Sequence, residues 1–278
     1  MDRRNKLIKR KVRISVIQML VNKEKKDNLE NAKRLIIQSL KFNPDIVVLP
    51  EMFNCPYDVK YFPSFSEKEG EITWNFLSNI SKEHKINIIG GSIPEIHNDK
   101  IYNTCYIFNR SGNQIGKYRK THLFDVDIKN GQYFKESDVL TAGNSLEIIS
   151  IDEIKVGILI CYDIRFPEIT RKLMREGAKI IFVPAAFNMT TGPLHWEILF
   201  RTRALDNQIF FIAASQARNP LSSYKAYGNS LICDPWGRIL KKLDEKERIL
   251  SKEIDLSEIP RVRNQIPVLK HFREDLYK

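Results

Sequence analysis

Apolar positions along this chain alternate between two periods. "RISVIQM", "DIVVLP", "INIIGGSIPE", "CYIFN", "EIISI", "KVGILIC", "KIIFVPA", "IFFIAASQ" and "NSLICD" are short, rich in β-branched residues and bounded by turn residues, which predicts strands. Between several of them the spacing lengthens to that of a helix. In "NLENAKRLIIQSL" the side chains of Leu29, Ala32, Leu35, Ile36 and Leu40 share one face. "EITWNFLSNISKEH", "PEITRKLMREG" and "LHWEILFRTRALDNQ" carry comparable faces. Strand, helix and strand therefore recur as βα units. Two stretches break this rhythm. Tyr102 to Lys120 holds two strands around "NRSGNQ" and Asn229 to Leu243 holds two around "DPWGR", with Gly112 and Gly237 placed to supply the turns. The expectation is one α/β domain over residues 12–278, with two mixed β-sheets packed face to face and helices outside.

Composition narrows the class. The 278 residues are 42% hydrophobic and 28% charged, the balance of a globular enzyme and not of a disordered chain. No stretch reaches the roughly 18 apolar residues of a membrane span, so a soluble protein is expected. At the N-terminus Lys9, Arg10, Lys11 and Arg13 interrupt any apolar signal region, and residues 1–11 are taken as a basic leader. Cys55, Cys105, Cys161 and Cys233 are far apart, with no metal-ligand spacing, which fits free thiols in a reducing cytoplasm and no metal or other cofactor. The net charge of +11 is dispersed among acidic residues, as in "KKLDEKERILSKE". It points to a solvated surface that attracts anionic small substrates, with no nucleic-acid motif.

Chemistry gathers at three predicted strand ends. "DIVVLPE" ends at Glu51, "GKYRK" at Lys120 and "KVGILIC" at Cys161. Taken singly, each has an ordinary explanation: a surface carboxylate, a solvated lysine, a buried core thiol. Together they meet a chemical need. A thiol of pKa near 8.5 is mostly protonated at neutral pH, so a nucleophilic cysteine requires a base or a cation, which Glu51 and Lys120 supply. Attack on an amide carbonyl builds charge on oxygen, for which the Lys120 ammonium and the Tyr162 backbone N–H are the candidate donors.

On the motifs "LPEMF", "KYRKTHLFD" and "ICYDIRFPE" the chain resembles the nitrilase superfamily of carbon–nitrogen hydrolases. "EMFNCPYDVKYFP", "GGSIPE", "YNTC", "PAAFNMTTGPLHWE", "RALDNQ", "DPWG" and "RNQIPVLKHFREDLY" are similar to its omega-amidase branch. The resemblance runs from about Val12 to Tyr277. It implies a four-layer α-β-β-α sandwich and a homodimer, with Glu51 as general base, Lys120 as oxyanion stabiliser and Cys161 as nucleophile. A second glutamate of the family falls on Glu136, which would hold Lys120 and assist the leaving group. The implied substrates are small 2-oxo dicarboxylic acid monoamides such as 2-oxoglutaramate and 2-oxosuccinamate. Rivals within the superfamily are a deaminated glutathione amidase, an N-carbamoyl amide hydrolase and a nitrilase. A non-catalytic binding protein on the same fold is more distant.

Arg165, four residues past Cys161, has two roles open to it. It either braces the turn through Asp163 or Glu168, or receives a substrate carboxylate in its planar fork. The resemblance favours the second and adds Tyr57 and Thr191 as hydrogen-bond partners of that carboxylate.

Overall fold

The computed structural model describes residues 11–127 and 133–276. Most of the leader therefore lies outside the described residues; Lys11 opens the first strand.

The first half of the chain builds one sheet from β1 (Lys11–Gln18), β2 (Ile46–Val48), β3 (Asn87–Ile89), β4 (Ile93–His97), β5 (Lys100–Phe108) and β6 (Gln114–Arg119). A small hairpin, β7 (Asp125–Asp127) and β8 (Tyr133–Lys135), follows. The second half builds another sheet from β9 (Ile148–Ile151), β10 (Ile154–Ile158), β11 (Ile180–Ala185), β12 (Phe210–Ser215), β13 (Leu231–Cys233) and β14 (Ile239–Lys242). The last strand, β15 (Arg248–Asp255), returns to pair antiparallel with β1. The orders are β15-β1-β2-β3-β5-β4, with β6 on β5, and β14-β13-β12-β11-β10-β9. Each sheet has a parallel centre, β1-β2-β3 in one and β10-β11-β12 in the other, flanked by antiparallel strands. Both are mixed, as the sequence pattern predicts.

Alternation along the strands sets the layers. Val12, Ile14, Val16, Ile46, Val48 and Ile89 point to a core shared with the second sheet, while Ile17, Val47 and Ile88 point the other way. Onto that outer face pack α1 (Lys25–Ser39), through Leu29, Ala32, Leu35 and Ile36, and α3 (Ile72–His84), through Leu77 and Ile80; the short α2 (Phe62–Phe65) lies between them in the chain. The second sheet is covered by α4 (Pro167–Arg175) with Leu173, and by α5 (Gly192–Asn207) with Trp196, Phe200 and Ala204. A last helix, α6 (Glu258–Gln265), follows β15. Helices, sheet, sheet and helices make the four layers. Removing this much apolar side-chain surface from water, at about 25 cal/mol per Å², is the main stabilising term.

"INIIGGSIPE" departs from its expected single strand. It splits into β3 and β4 at Gly90–Gly91, and the reason is a close approach. Gly91 has φ +57, and a Cβ there would lie 2.1 Å from the Pro50 carbonyl oxygen. The break lets the chain that leads to Glu51 pass against the sheet. Among the described residues no helix is long and apolar enough to cross a membrane.

Candidate active site

Glu51, Lys120 and Cys161 each lie just past a strand, beyond β2, β6 and β10. The backbone after two of these strands takes an uncommon conformation. Met52, next to Glu51, has φ +48 and Cys161 has φ +47, both in the left-handed region that non-glycine residues rarely adopt. Such conformations persist only when surroundings hold them. Gln216 Nε2 donates to the carbonyls of Glu51 and Met52 at 2.8 and 3.2 Å, and the Met52 N–H donates to Ser92 Oγ at 3.0 Å. On the Cys161 side the buried Asp163 carboxylate accepts from the Ile160 N–H at 2.9 Å and the Tyr118 hydroxyl at 2.8 Å. It also accepts from the Thr121 hydroxyl at 3.1 Å and the His122 N–H at 2.9 Å. One carboxylate thus ties the Cys161 turn to the segment that follows Lys120.

An ionic cluster lies at the base of the site. Lys120 Nζ is 2.9 Å from Glu51 Oε1, 3.0 Å from Glu136 Oε1 and 2.9 Å from Glu136 Oε2. All three side chains are completely buried. Glu136 also accepts from the Tyr57 hydroxyl at 2.8 Å and the Phe124 N–H at 2.7 Å. Asn103 Nδ2 donates to Glu51 Oε1 at 2.8 Å. Burial alone would disfavour the ammonium, but the charges of Glu136 and Glu51 reverse this and hold the Lys120 pKa above its ordinary value. Glu51 is pushed above the usual carboxylate range by burial, with Glu136 adding to the rise and Lys120 opposing it.

Cys161 sits beside this cluster. Burial, then the charge of Glu51, pushes its thiol pKa well up, against the pull of Lys120 and of the Ala186 backbone N–H. The thiol and the Glu51 carboxyl are neighbours that influence each other's proton affinity. With its pKa raised, Cys161 rests as a thiol, and Glu51 is the carboxyl group placed beside it. Cys55, Cys105 and Cys233 are also free and buried, and burial raises each thiol pKa, but none lies beside the buried Glu51–Lys120 pair.

Cys161, Tyr162, Arg165 and Thr191 line one narrow crevice, walled by Phe124, Phe187 and Tyr224. Larger grooves run along α4 and the C-terminal segment, away from the sulfur. The Arg165 guanidinium lies 3.2 Å from His195 Nδ1 and over the rings of Tyr162 and Phe187. The bracing of the turn falls instead to Asp163 and to Arg203, which donates to the carbonyls of Ile164 and Arg165 at 2.9 and 3.0 Å. Thr191 Oγ1 donates to Asn188 Oδ1 at 3.2 Å. Tyr57 stands apart from the cavity's lining: its ring stacks on Phe134 and its hydroxyl serves Glu136. Burial and the nearby carboxylates raise the pKa of Tyr57 well above the ordinary phenol value.

The sequence pattern did not single out Asn103, and it named Asp163 only as a possible partner of Arg165. Both lay inside quoted motifs, "YNTC" and "CYDIR", but their partners are 52 and 41 to 45 residues away, beyond the reach of any local spacing.

Two sheets with helices outside and a buried Glu–Lys–Glu cluster beside a cysteine in a strained turn define a hydrolase of carbon–nitrogen bonds. The chain belongs to the carbon–nitrogen hydrolase family, whose model matches residues 13–264. It is 46% identical over 268 residues to omega-amidase NIT2 of Xenopus tropicalis, a match that covers 96% of this chain and 97% of that one. The human omega-amidase NIT2 is 44% identical over 266 residues, covering 95% and 96%. Among solved structures, Nit3 of Saccharomyces cerevisiae, a member of the nitrilase superfamily, superposes with a TM-score of 0.87 at 39% identity, over 94% of this chain and 96% of that one.

Proposed function

We propose that this protein is an omega-amidase that hydrolyses the terminal amide of small 2-oxo dicarboxylic acid monoamides, 2-oxoglutaramate and 2-oxosuccinamate, releasing ammonia. Cys161 Sγ attacks the amide carbon as its proton passes to Glu51. The oxyanion is met by the Lys120 ammonium and the Tyr162 N–H. Glu51 returns the proton to the departing nitrogen, with Glu136 steadying Lys120 and assisting, and ammonia leaves a thioester on Cys161. Glu51 then takes a proton from water as its oxygen attacks the thioester. Collapse frees the acid and restores the thiol. Arg165 receives the substrate's carboxylate, with Thr191 beside it and Tyr57 acting through Glu136.

The observation that carries the substrate choice is Arg165 on the wall of the Cys161 crevice, a cation that lines the same pocket as the sulfur. Its neighbours His195, Tyr162 and Phe187 leave its charge without a carboxylate among the described contacts, which suits an anionic substrate. Identity above 40% to omega-amidases over almost the whole chain supports the same choice. We also propose a cytoplasmic homodimer built on a single domain. The groove between α4 and the C-terminal segment, lined by Pro167, Arg171, Arg175 and Phe272, supports that assembly.

The test is ammonia release from a panel of small amides, carbamoyl compounds and nitriles. 2-Oxoglutaramate and 2-oxosuccinamate should rank first, and Cys161→Ala should abolish turnover. A carbamoyl compound or nitrile at the head of the ranking would replace the proposed substrate. Retained turnover in Cys161→Ala would remove the thioester.

A further inference from the structure

The two oxygens of the Glu51 carboxylate are not equivalent. Oε1 accepts from Lys120 Nζ at 2.9 Å and from Asn103 Nδ2 at 2.8 Å. Oε2 is buried, and no group among the described residues makes a hydrogen bond of ordinary geometry to it. Buried acceptors of this kind are rare in folded proteins and costly to leave unpaired. The neighbour that remains for it is the Cys161 thiol, which interacts with the same carboxylate. We infer that Asn103 is a positioning residue that selects the base: by occupying Oε1 jointly with Lys120, it leaves Oε2 as the oxygen that takes the Cys161 proton.

The placement of Asn103 supports this. It lies on β5, 1% exposed, and its backbone carbonyl accepts from the Lys120 N–H at 2.9 Å. One residue therefore touches both members of the cluster, holding the Glu51 side chain through its amide and the start of the Lys120 segment through its backbone. The amide must present its NH₂ to Glu51, because its carbonyl oxygen would set two acceptors against each other. The Glu51 backbone is separately pinned by Gln216, so rotation about the side chain is the freedom left to the carboxylate. Lys120 alone does not remove that freedom. A flexible ammonium forms one bond to whichever oxygen is nearest, whereas two donors converging on Oε1 from different strands define a single orientation.

A donor to the ionised carboxylate also lowers its pKa. Asn103 thus acts with Lys120 against the burial and the Glu136 charge that raise Glu51. Without it Glu51 would hold its proton to higher pH and be a base over a narrower range.

This inference rests on Cys161 and Glu51 acting as nucleophile and base, and its test separates it from the choice of substrate. The pH dependence of Cys161 alkylation by iodoacetamide reports the Glu51–Cys161 pair without any amide substrate, and is measured beside kcat/KM for 2-oxoglutaramate. Asn103→Leu, which keeps the size and removes the donor, should move the acid limb of both profiles upward by roughly half a unit to one unit. Its rate at the pH of maximal wild-type activity should fall roughly tenfold or more. Asn103→Asp, which adds negative charge beside Oε1, should move the limb further in the same direction. Should Asn103→Leu fail to fold, the shift in Asn103→Asp decides. Profiles that superpose on wild type after correction for folded protein would show that Asn103 only props up the strand, and would overturn the inference. A shifted alkylation profile in an enzyme that does not cleave 2-oxoglutaramate would uphold it and discard the substrate instead.

Discussion

The two sides of the Cys161 cavity are built on different principles. On one side Glu51, Lys120 and Glu136 are wholly buried and their hydrogen bonds run to Asn103, Tyr57 and Phe124 at 2.7 to 2.8 Å. On the other side Arg165 is partly exposed and meets aromatic rings and a histidine. The first side is preorganised: charge is fixed before substrate arrives, so little reorganisation is needed as the oxyanion forms. The second relies on a long side chain against flat rings, which can adjust to a ligand. Under the proposed function, chemistry and recognition are divided between a rigid wall and an adaptable one.

The largest expected effect breaks the rigid wall at its base. Glu51→Gln should lower turnover roughly 10³-fold or more through loss of the proton acceptor. Stability should move the other way. Because the native pKa of Glu51 is raised, the folded state binds this proton more tightly than the unfolded chain does. Glu51's favourable contribution is therefore present below the ordinary carboxylate pKa and is lost as pH rises through the native value. At neutral pH the variant should melt at or above the wild-type temperature, and a clear drop in thermal scans would contradict that sign.

Lys120→Ala should come next, and it separates the two partners of one ion pair. Turnover should fall roughly 10²- to 10³-fold with the oxyanion donor gone. Stability should fall as well, by about 3–5 kcal/mol, because two buried carboxylates lose their shared cation. The raised native pKa of Lys120 carries linkage of the same sign in a different window, a contribution fully present at neutral pH and lost only in alkali. Denaturant melts on the two variants side by side test this. Equal stability changes would mean that the cluster is not held together by its lysine.

The smallest expected effect is on the adaptable wall. Arg165→Lys should raise KM for 2-oxoglutaramate roughly tenfold, leave kcat and the melting temperature almost unchanged, and leave Cys161 alkylation by neutral iodoacetamide unaffected. Equal losses against charged and uncharged amides would show that Arg165 supports the site without reading the carboxylate, and the contrast between the walls would disappear.

Much of this was legible in local pattern. Alternation in "RISVIQM" and "DIVVLP" separates the two faces of the first sheet, and the helical faces of α1 and α3 correspond to the residues that cover it. Glu51, Lys120 and Cys161 were visible because a reactive side chain that ends an apolar strand is unusual three times over. Glu136 was reached only through family resemblance, since "YFKESD" has no pattern that marks one carboxylate as buried. Asn103 gave no signal at all; a polar residue between Tyr102 and Thr104 is unremarkable until Glu51 is brought 2.8 Å from it.

By itself the sequence determined most strands and helices and which three side chains terminate strands, because periodicity, turn chemistry and polarity are local properties; it showed neither the hairpin β7–β8, nor β15, nor the break at Gly90–Gly91. Tertiary structure alone decided that two carboxylates share one lysine in the dry interior, and that one oxygen of Glu51 is engaged while the other is left without a partner among the described residues. It also decided that Cys161 rests as a thiol. The physical reason is that proton affinity inside a protein depends on burial and on charges within a few ångströms. Those distances are set by how the two sheets stack, bringing together residues that are dozens of positions apart in the chain.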